Sequence, residues 1–340
     1  MEIRRAVLHG KGDLQIETAG IPDDLDAHQI LVETQVSALS TGTDLGNYLG
    51  DSTYVPGAPD YPRWVGYSNT GVVRAAGREV RGFRSGDRVF STKPHQSAYI
   101  AQEDELLIRI PESVSFEQAS LTYLTGLGLA AMRQAQYETG ENIVVIGLGV
   151  IGLATTGLAS AMGANVIGVA NSETRARAAM EVGASGCLSS NATDPIAQMK
   201  SFFRGAEADL VILTSNSWQS YFLALDLARF NGRISILGFP GRGEPIPERN
   251  PLDPSPFYSK QLTLLGAGSS PKLDCEPQDI RFNLRRNLEY ILDLMASKRL
   301  NLSPLISHQL PYHSMRDAYE MARNHSKELI AAVFDWREYR

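Results

Sequence analysis

The sequence predicts an α/β protein in which a small β-barrel is followed by a doubly wound parallel sheet. Three observations predict this fold class. Short β-prone runs separated by turn residues fill residues 1 to about 110, and strand-like runs alternate with helical patterns from Ile143 onward. A glycine-rich turn joins the first of these later strands to a helix. The length of 340 residues suits about two domains.

The N-terminal region owes its β assignment to apolar and β-branched runs bounded by turn clusters such as Gly10–Asp13. These short runs, separated by turns, indicate a small barrel rather than helices. The predicted strands are Arg5–Leu8, Gln29–Val36, Gly71–Val73 and Asp87–Phe90.

The second half alternates strand and helix, and a parallel pair of strands needs such a crossover helix. One helix shows Val150, Ala154 and Leu158 at a spacing of four residues. Beyond Gly266, two helices carry apolar faces around Leu288 and Tyr319, and a final strand is predicted at Ile330–Phe334. The predicted strands of the alternating part are Ile143–Ile146, Val166–Val169, Leu210–Leu213, Ile234–Leu237 and Leu262–Leu265.

Composition excludes several classes of protein. A net charge of −6 without a Lys/Arg cluster argues against a nucleic-acid partner. Two cysteines, Cys187 and Cys275, are too few for a disulfide framework and favour a reducing, cytoplasmic compartment. The N-terminus lacks the apolar core of a signal peptide. The uncharged stretch Asn142–Ala170 is interrupted by six glycines, so we expect strand, turn and helix there and no membrane partner.

The glycine-rich turn has the spacing of a dinucleotide-binding loop. Strand Ile143–Ile146 leads into the string Gly147-Leu148-Gly149-Val150-Ile151-Gly152, and an amphipathic helix follows. In such a loop the first glycine permits the turn, the second admits the pyrophosphate, and the third lets the helix pack on the strand. We therefore expect Gly147, Gly149, Val150, Ile151 and Gly152 to bind a dinucleotide rather than to form a packing turn.

The residues after the second strand favour NADPH/NADP+. An enzyme specific for NAD places an acidic residue about 20 positions beyond the loop, where it bonds the ribose 2′-hydroxyl. Here Asn171 stands 19 positions after Gly152. An uncharged side chain admits a 2′-phosphate, which Ser172 and Arg175 can bind. The alternative is that Ser172 only caps the helix and Arg175 is solvated.

Several further strings resemble the medium-chain dehydrogenase/reductase superfamily. They are Ser40-Thr41-Gly42-Thr43-Asp44, the run Val65–Val73, Gly86–Val89, Thr125-Gly126-Leu127, the Gly147–Gly152 loop and Lys260–Gly266. The resemblance implies a GroES-like catalytic barrel at 1–120, a Rossmann NADP-binding domain at 121–268 and a C-terminal segment, 269–340, that returns to the catalytic domain. It also implies an active site in the cleft between the domains and a homodimer joined through the edges of the Rossmann sheets.

The chain departs from the zinc-using members of that superfamily. Where they keep a cysteine, a His-Glu pair and a further cysteine or carboxylate, this sequence has Thr41, Tyr67-Ser68 and, approximately, Leu121. A hydroxyl, a phenol and a leucine do not make the three-ligand set of a catalytic zinc. The four-cysteine lobe that binds a structural zinc is also missing. We therefore expect no metal.

Without zinc, hydroxyl groups must polarise the substrate and handle its proton. Tyr67 is the candidate proton donor, with a core tyrosine as the alternative, and Thr43 matches a position that relays protons in the superfamily. Thr41 is a further candidate catalytic hydroxyl, and Ser40, Asp44 and His95 are candidates for substrate binding. By the resemblance, the nicotinamide half of the cofactor is contacted by Thr125, Thr214, Ser215, Gly238 and Phe239.

These inferences predict a zinc-independent, NADPH-dependent oxidoreductase that transfers hydride to or from a small-molecule carbonyl or alcohol. An enoyl or quinone reductase, acting on an activated C=C bond, is the first alternative. A non-catalytic NADPH-binding protein is the second.

Overall fold

The computed structural model describes residues 1–50, 60–270 and 282–338. The chain divides into two compact units. The first comprises Met1–Tyr123, Leu288–Ser297 and Ile306–Arg340, and the second comprises Leu124–Asn287 and Lys298–Leu305. The sequence placed the domain boundaries after residues 120 and 268, whereas the structure returns the chain to the first unit at Leu288.

The strands and helices are numbered along the chain. The strands are β1 (Glu2–Gly10), β2 (Asp13–Gly20), β3 (Gln29–Ala38), β4 (Arg63–Trp64), β5 (Asn69–Ala76), β6 (Arg88–Ser91), β7 (Ala98–Gln102), β8 (Leu107–Arg109), β9 (Asn142–Ile146), β10 (Asn165–Ala170), β11 (Gly186–Ser189), β12 (Ala208–Leu213), β13 (Ala228–Ile236), β14 (Thr263–Gly266), β15 (Ile306–Pro311) and β16 (Ala331–Asp335). The helices are α1 (Thr43–Leu49), α2 (Phe116–Ala119), α3 (Thr122–Gln134), α4 (Val150–Ala161), α5 (Glu173–Glu181), α6 (Pro195–Phe202), α7 (Trp218–Leu227), α8 (Leu284–Ala296) and α9 (Met315–Arg323).

The first unit contains two sheets. One has the order β2-β1-β4, and the larger has the order β15-β16-β3-β5-β6-β8, with β7 also paired to β3. A bridge between Arg5 and Gln96 links β1 to the segment before β7. Ile30 and Val32 of β3 are fully buried, as expected where alternate side chains face one core. The four strands predicted in this region are confirmed.

The second unit is a six-stranded parallel sheet with the order β11-β10-β9-β12-β13-β14. The strand order reverses between β9 and β12, as it does in a Rossmann sheet, where ligands bind at the carboxyl ends of the strands. Ile143, Val144 and Val145 of β9 have no exposed surface, which explains the apolar runs of the sequence. The predicted doubly wound parallel sheet is confirmed.

The C-terminal part of the chain completes the larger sheet of the first unit. Strand β16 runs antiparallel to β3, with Val333 opposite Ala38, and parallel to β15. The two predicted C-terminal helices are α8 and α9, and the predicted final strand is β16. Periodicity predicts these elements but does not show where they pack.

The uncharged stretch Asn142–Ala170 is divided into β9, α4 and β10, as its glycines predicted. None of the described helices combines the length and the apolar character needed to span a membrane. Cys187 is a free, half-buried thiol, and Cys275 lies outside the described residues.

Candidate functional site

The first candidate site is a group of hydroxyls in the first unit. After β3 the chain turns through Ser40–Gly42 and enters α1 at Thr43. Ser40 is buried, and its Oγ accepts a hydrogen bond from the Thr43 N–H at 3.4 Å. Thr41 and Thr43 are half-buried at the start of this turn and helix. The turn therefore presents three neighbouring hydroxyl side chains.

Tyr67, between β4 and β5, joins this group. Its hydroxyl donates to Ser40 Oγ at 2.5 Å and is also hydrogen-bonded to the Thr43 side chain. The ring packs edge-on against Tyr123, with 5.2 Å between centroids. Burial, and then the negative charge of Asp44, raise the pKa of Tyr67. The phenol is therefore neutral and able to donate a proton at physiological pH. The structure brings together three predicted site residues: Tyr67, Ser40 and Thr43.

Asp44 lies beneath these hydroxyls and is 1% exposed. Oδ2 accepts a hydrogen bond from the Ser40 N–H at 2.9 Å, and Oδ1 accepts one from the Gly66 N–H at 3.0 Å. Burial raises the pKa of Asp44 to about 6, and the two backbone donors oppose that rise. Asp44 is therefore mostly ionised at pH 7, and the two N–H groups satisfy its charge in part.

His95 is also completely buried. Its Nε2 lies 3.9 Å from Asp44 Oδ2, and burial lowers the pKa of His95 to about 3. The imidazole is therefore neutral, so this contact is not an ion pair. Both predicted substrate-binding residues, Asp44 and His95, are thus buried, and their contact with a substrate stays a prediction.

Four residues of the first unit, Thr41, Tyr67, Ser68 and Leu121, stand at the positions that would have to supply the ligands of a catalytic zinc. Zinc enzymes of the superfamily that this chain resembles keep metal ligands at these positions. Here Thr41 supplies a hydroxyl and Tyr67 supplies a neutral phenol. Ser68 donates its hydroxyl to the Ser120 carbonyl, and Leu121 is an apolar core residue. Within residues 1–50, 60–270 and 282–338, no group of three His, Cys, Asp or Glu side chains is placed to hold a metal ion. These residues do not fit a catalytic zinc.

The second candidate site is the glycine loop between β9 and α4, in the second unit. Gly147 has φ of +96°, and a Cβ there would lie 2.7 Å from the Ser215 N. A Cβ on Gly152 would lie 1.9 Å from the Gly147 carbonyl oxygen. Beside Gly149, by contrast, the nearest atom to such a Cβ is Arg175 Nη1 at 3.8 Å. The loop is thus closed at its first and third glycines and open at the second, as a pyrophosphate requires.

The first turn of α4 completes the phosphate-binding arrangement. Gly149 is the N-cap of this helix, and no side chain caps it. Val150 and Ile151 therefore offer backbone N–H groups at the positive end of the helix dipole. A dinucleotide pyrophosphate fits this loop and helix.

The residues after β10 lie against the same loop. Ser172 is the N-cap of α5 and accepts a hydrogen bond from the Arg175 N–H at 3.4 Å. Arg175 Nη1 donates to the Leu148 carbonyl at 2.8 Å, which places a half-buried guanidinium beside the glycine loop. Asn171 is exposed, and Glu173 points outward with a side chain that is 90% exposed. The helix-capping alternative is thus real for Ser172, whereas Arg175 is not simply solvated.

The predicted nicotinamide-contacting residues lie at the carboxyl ends of β12 and β13. Thr214 Oγ1 donates to the Gly147 carbonyl, and a Cβ on Gly238 would lie 2.3 Å from the Ser215 carbonyl oxygen. Phe239 is 54% exposed. The sequence analysis missed Asn216, whose Oδ1 accepts a hydrogen bond from the Phe239 N–H at 2.8 Å. Its place three residues after the end of β12, next to the predicted Thr214 and Ser215, was the available signal.

Thr125 differs from the other predicted cofactor contacts. It lies within α3 and is fully buried. Its contact with the nicotinamide half stays a prediction.

Comparison with known proteins finds similarity to dehydrogenases. Residues 150–282 match the family model described as zinc-binding dehydrogenase. A sorbitol dehydrogenase from Bacillus subtilis is 22% identical, with 97% of this chain and 96% of the relative aligned. By this match and these motifs the chain is similar to zinc-type alcohol dehydrogenase-like proteins.

Solved structures share the fold over nearly the full length. A zinc-binding dehydrogenase from Sinorhizobium meliloti 1021, bound to NADP, has a TM-score of 0.79 and 20% identity, over 98% of this chain and 99% of that chain. An alcohol dehydrogenase from Escherichia coli CFT073, in complex with NADH, has a TM-score of 0.78 and 18% identity, with the same two coverages. At these identities the likeness shows the fold alone.

Proposed function

We propose that this chain is an alcohol- or polyol-dehydrogenase-type oxidoreductase that uses NADP(H) and works without a catalytic zinc. The observation that carries the proposal is the hydrogen-bonded group of Tyr67, Ser40 and Thr43, in which Tyr67 occupies a position where zinc enzymes of this superfamily keep a metal donor. The sorbitol dehydrogenase relative supports alcohol chemistry over reduction of a C=C bond.

The residues of the second unit that would hold the dinucleotide are those of the glycine loop and the first turn of α4. The N–H groups of that turn bind the pyrophosphate, and the open face of Gly149 leaves room for it. Arg175 supports NADP(H) because its guanidinium lies beside the loop. Position 171 also supports NADP(H), because it holds an uncharged asparagine rather than a carboxylate. When bound, the nicotinamide supplies or takes up a hydride.

The residues of the first unit handle the proton. In the direction of reduction, the Tyr67 hydroxyl turns its proton from Ser40 Oγ to the substrate carbonyl oxygen and transfers it as the alkoxide forms. The Ser40 hydroxyl then turns and donates its own proton to the Tyr67 oxygen. The raised pKa of Tyr67 keeps that proton in place until the oxygen becomes basic. Ser40 and Thr43 hold the Tyr67 oxygen by hydrogen bonds, and they stabilise the phenolate that remains.

Isotope transfer tests this proposal. NADPH carrying deuterium at the transferred position is incubated with a panel of aldehydes, ketones, enones and quinones, and the products are analysed by mass spectrometry. We expect deuterium on the carbon that bears the product hydroxyl. Deuterium on the carbon β to a carbonyl would indicate an enoyl reductase instead. Tight NADPH binding without turnover of any panel member would indicate a non-catalytic binding protein.

A further inference from the structure

The carboxylate of Asp44 connects the two chain segments that carry the hydroxyl group. Ser40 follows β3, whereas Gly66 precedes Tyr67 in the segment between β4 and β5. One oxygen of Asp44 accepts the Ser40 N–H at 2.9 Å, and the other accepts the Gly66 N–H at 3.0 Å. The same two segments meet again where Tyr67 donates to Ser40 Oγ at 2.5 Å. Each oxygen of the carboxylate thus fixes one side of the Tyr67–Ser40 hydrogen bond.

His95 packs against Gly66, one of the two residues that Asp44 holds. Its ring occupies the place of the missing Gly66 side chain, since a Cβ on Gly66 would lie 2.5 Å from the imidazole. Nδ1 lies 2.8 Å from Ser37 Oγ, which also accepts the Trp336 Nε1–H at 2.9 Å. The other ring nitrogen, Nε2, lies 3.9 Å from Asp44 Oδ2, beyond hydrogen-bond range.

The groups that face Asp44 leave its charge without a cationic partner among the described residues. They are the neutral imidazole of His95 and the phenols of Tyr67 and Tyr319, and the pKa values of both phenols are raised in part by the charge of Asp44. A carboxylate kept in such a place costs free energy unless its hydrogen bonds compensate. Its two backbone donors are therefore the contacts that keep it there.

We propose that Asp44 is a positioning residue, which acts on the reaction by holding Ser40 and Gly66 so that the Tyr67 hydroxyl stays on Ser40, with neutral His95 packed beneath Gly66. The inference rests on the proposed function, in which Tyr67 transfers the proton. Asp44 itself touches neither substrate nor cofactor in this role.

The Asp44→Asn variant tests the inference by replacing one of the two acceptor oxygens. Asparagine keeps the shape of the side chain but offers one acceptor oxygen and one NH₂ donor. One of the two backbone N–H groups must then face a donor instead of an acceptor. We expect faster hydrogen–deuterium exchange in the peptides that contain Ser40 and Gly66, which is a readout that does not need turnover.

A double-mutant cycle with Tyr67→Phe shows whether Asp44 acts through Tyr67. We expect Asp44→Asn to lower kcat on the order of 10²-fold, because small misplacements of a catalytic group cost this much. In the Tyr67→Phe background the same substitution should lower kcat less than threefold, since the group that it positions is already gone. Equal losses in both backgrounds would overturn the inference.

The matched control is Tyr99→Phe, which removes a buried hydrogen bond of 2.7 Å to Ser91 in the same unit without touching the Asp44 contacts. We expect its effect on kcat to be the same with and without Tyr67→Phe. Unchanged exchange at Ser40 and Gly66 in Asp44→Asn would also overturn the inference. Failure of the wild type to turn over any panel substrate would instead reject the proposed function, and the exchange measurement would still decide whether Asp44 holds the two segments.

Discussion

The proposed proton transfer depends on the hydroxyl group of Tyr67. Tyr67→Phe removes that oxygen and leaves the ring packed against Tyr123. We expect kcat to fall on the order of 10²-fold or more, because general acid catalysis contributes about that much. Steady-state kinetics measure the loss, and a thermal melt shows that the fold is retained.

Tyr61→Phe is the control for this prediction. The Tyr61 hydroxyl donates to the Asn47 carbonyl at 2.9 Å, outside the group of Tyr67, Ser40 and Thr43. Its loss should leave kcat nearly unchanged. If Tyr67→Phe retained full turnover, the proton would have to come from another group.

Arg175 is the residue that decides between the two nicotinamide cofactors in our proposal. Its guanidinium lies beside the glycine loop, bonded to the Leu148 carbonyl. We expect Arg175→Ala to raise the Kd of NADPH about 10- to 100-fold, since a charge-assisted hydrogen bond contributes about 1.5–3 kcal/mol. The Kd of NADH should change much less. Isothermal titration calorimetry measures both.

The control for Arg175 lies on the same helix. Arg177 is 70% exposed and pairs with Glu173, so Arg177→Ala should change neither Kd appreciably. Equal weakening of NADPH and NADH by Arg175→Ala would contradict a 2′-phosphate contact. Arg175 would then only support the loop through Leu148.

Buried His95 makes stability depend on pH in a direction that can be worked out. Burial lowers its pKa from 6.5 to about 3, so between these values the unfolded chain binds a proton that the folded chain does not. The free energy of unfolding therefore falls as pH drops from 6.5 toward 3. The raised pKa of Asp44, from 3.8 to about 6, acts oppositely between those two values.

Comparison with a variant isolates the contribution of His95. Urea denaturation at pH 7 and pH 5 should show that wild type loses more stability on acidification than His95→Gln does. Equal losses in the two proteins would mean that His95 is protonated in the folded state at pH 5.

Residue types in the site were predictable from sequence, but their placement was not. The string Ser40–Asp44 and Tyr67 indicated hydroxyl chemistry. The burial of Asp44 and His95 depends on contacts between residues far apart in the chain, such as Asp44 with Gly66 and His95 with Ser37. A sequence pattern records no such contact, so it does not predict that these two side chains are buried.

Among the structural elements, the β9–loop–α4 unit was predicted residue by residue because its determinants are local. Glycine spacing, an apolar strand and an amphipathic helix all lie within twenty residues of each other. Six strands were missed, and each is short or partly exposed: β2, β4, β7, β8, β11 and β15. Such strands form because a neighbouring strand supplies hydrogen bonds.

Substitutions at two glycines of the loop should have different effects, one on stability and the other on cofactor affinity. A Cβ on Gly152 would overlap the Gly147 carbonyl oxygen at 1.9 Å, so Gly152→Ala should lower the free energy of unfolding by about 1–3 kcal/mol or more. Gly149 has φ of −77° and open space beside it, so Gly149→Ala should fold nearly normally. Its methyl group occupies the space for the pyrophosphate, and NADPH affinity should fall.

Denaturation and calorimetry on the two loop variants provide the measurement. If Gly149→Ala bound NADPH as tightly as wild type, the pyrophosphate would not pass over this glycine. The assignment of the loop would then need another ligand.

At the scale of the whole chain, periodicity predicted two kinds of sheet but not the path of the C-terminus. The return to the first unit follows from β16 pairing with β3, where Val333 lies opposite Ala38, almost three hundred residues earlier. Only the resemblance to a known superfamily implied that return. Pairing over such a distance is selected by the packing of the complete sheet.

The proposed metal independence concerns the whole molecule, and it gives the last prediction. A threonine hydroxyl, a protonated phenol and a leucine, at the positions where zinc enzymes keep their donors, do not bind Zn²⁺ as thiolate and imidazole do. Dialysis against EDTA should therefore leave both kcat and Tm unchanged, and added Zn²⁺ should not raise turnover. Elemental analysis of protein never exposed to added metal should find zinc well below one ion per chain. Stoichiometric zinc, with turnover lost on chelation and restored by Zn²⁺, would mean that other side chains complete a metal site and that Tyr67 is not the group that polarises the substrate.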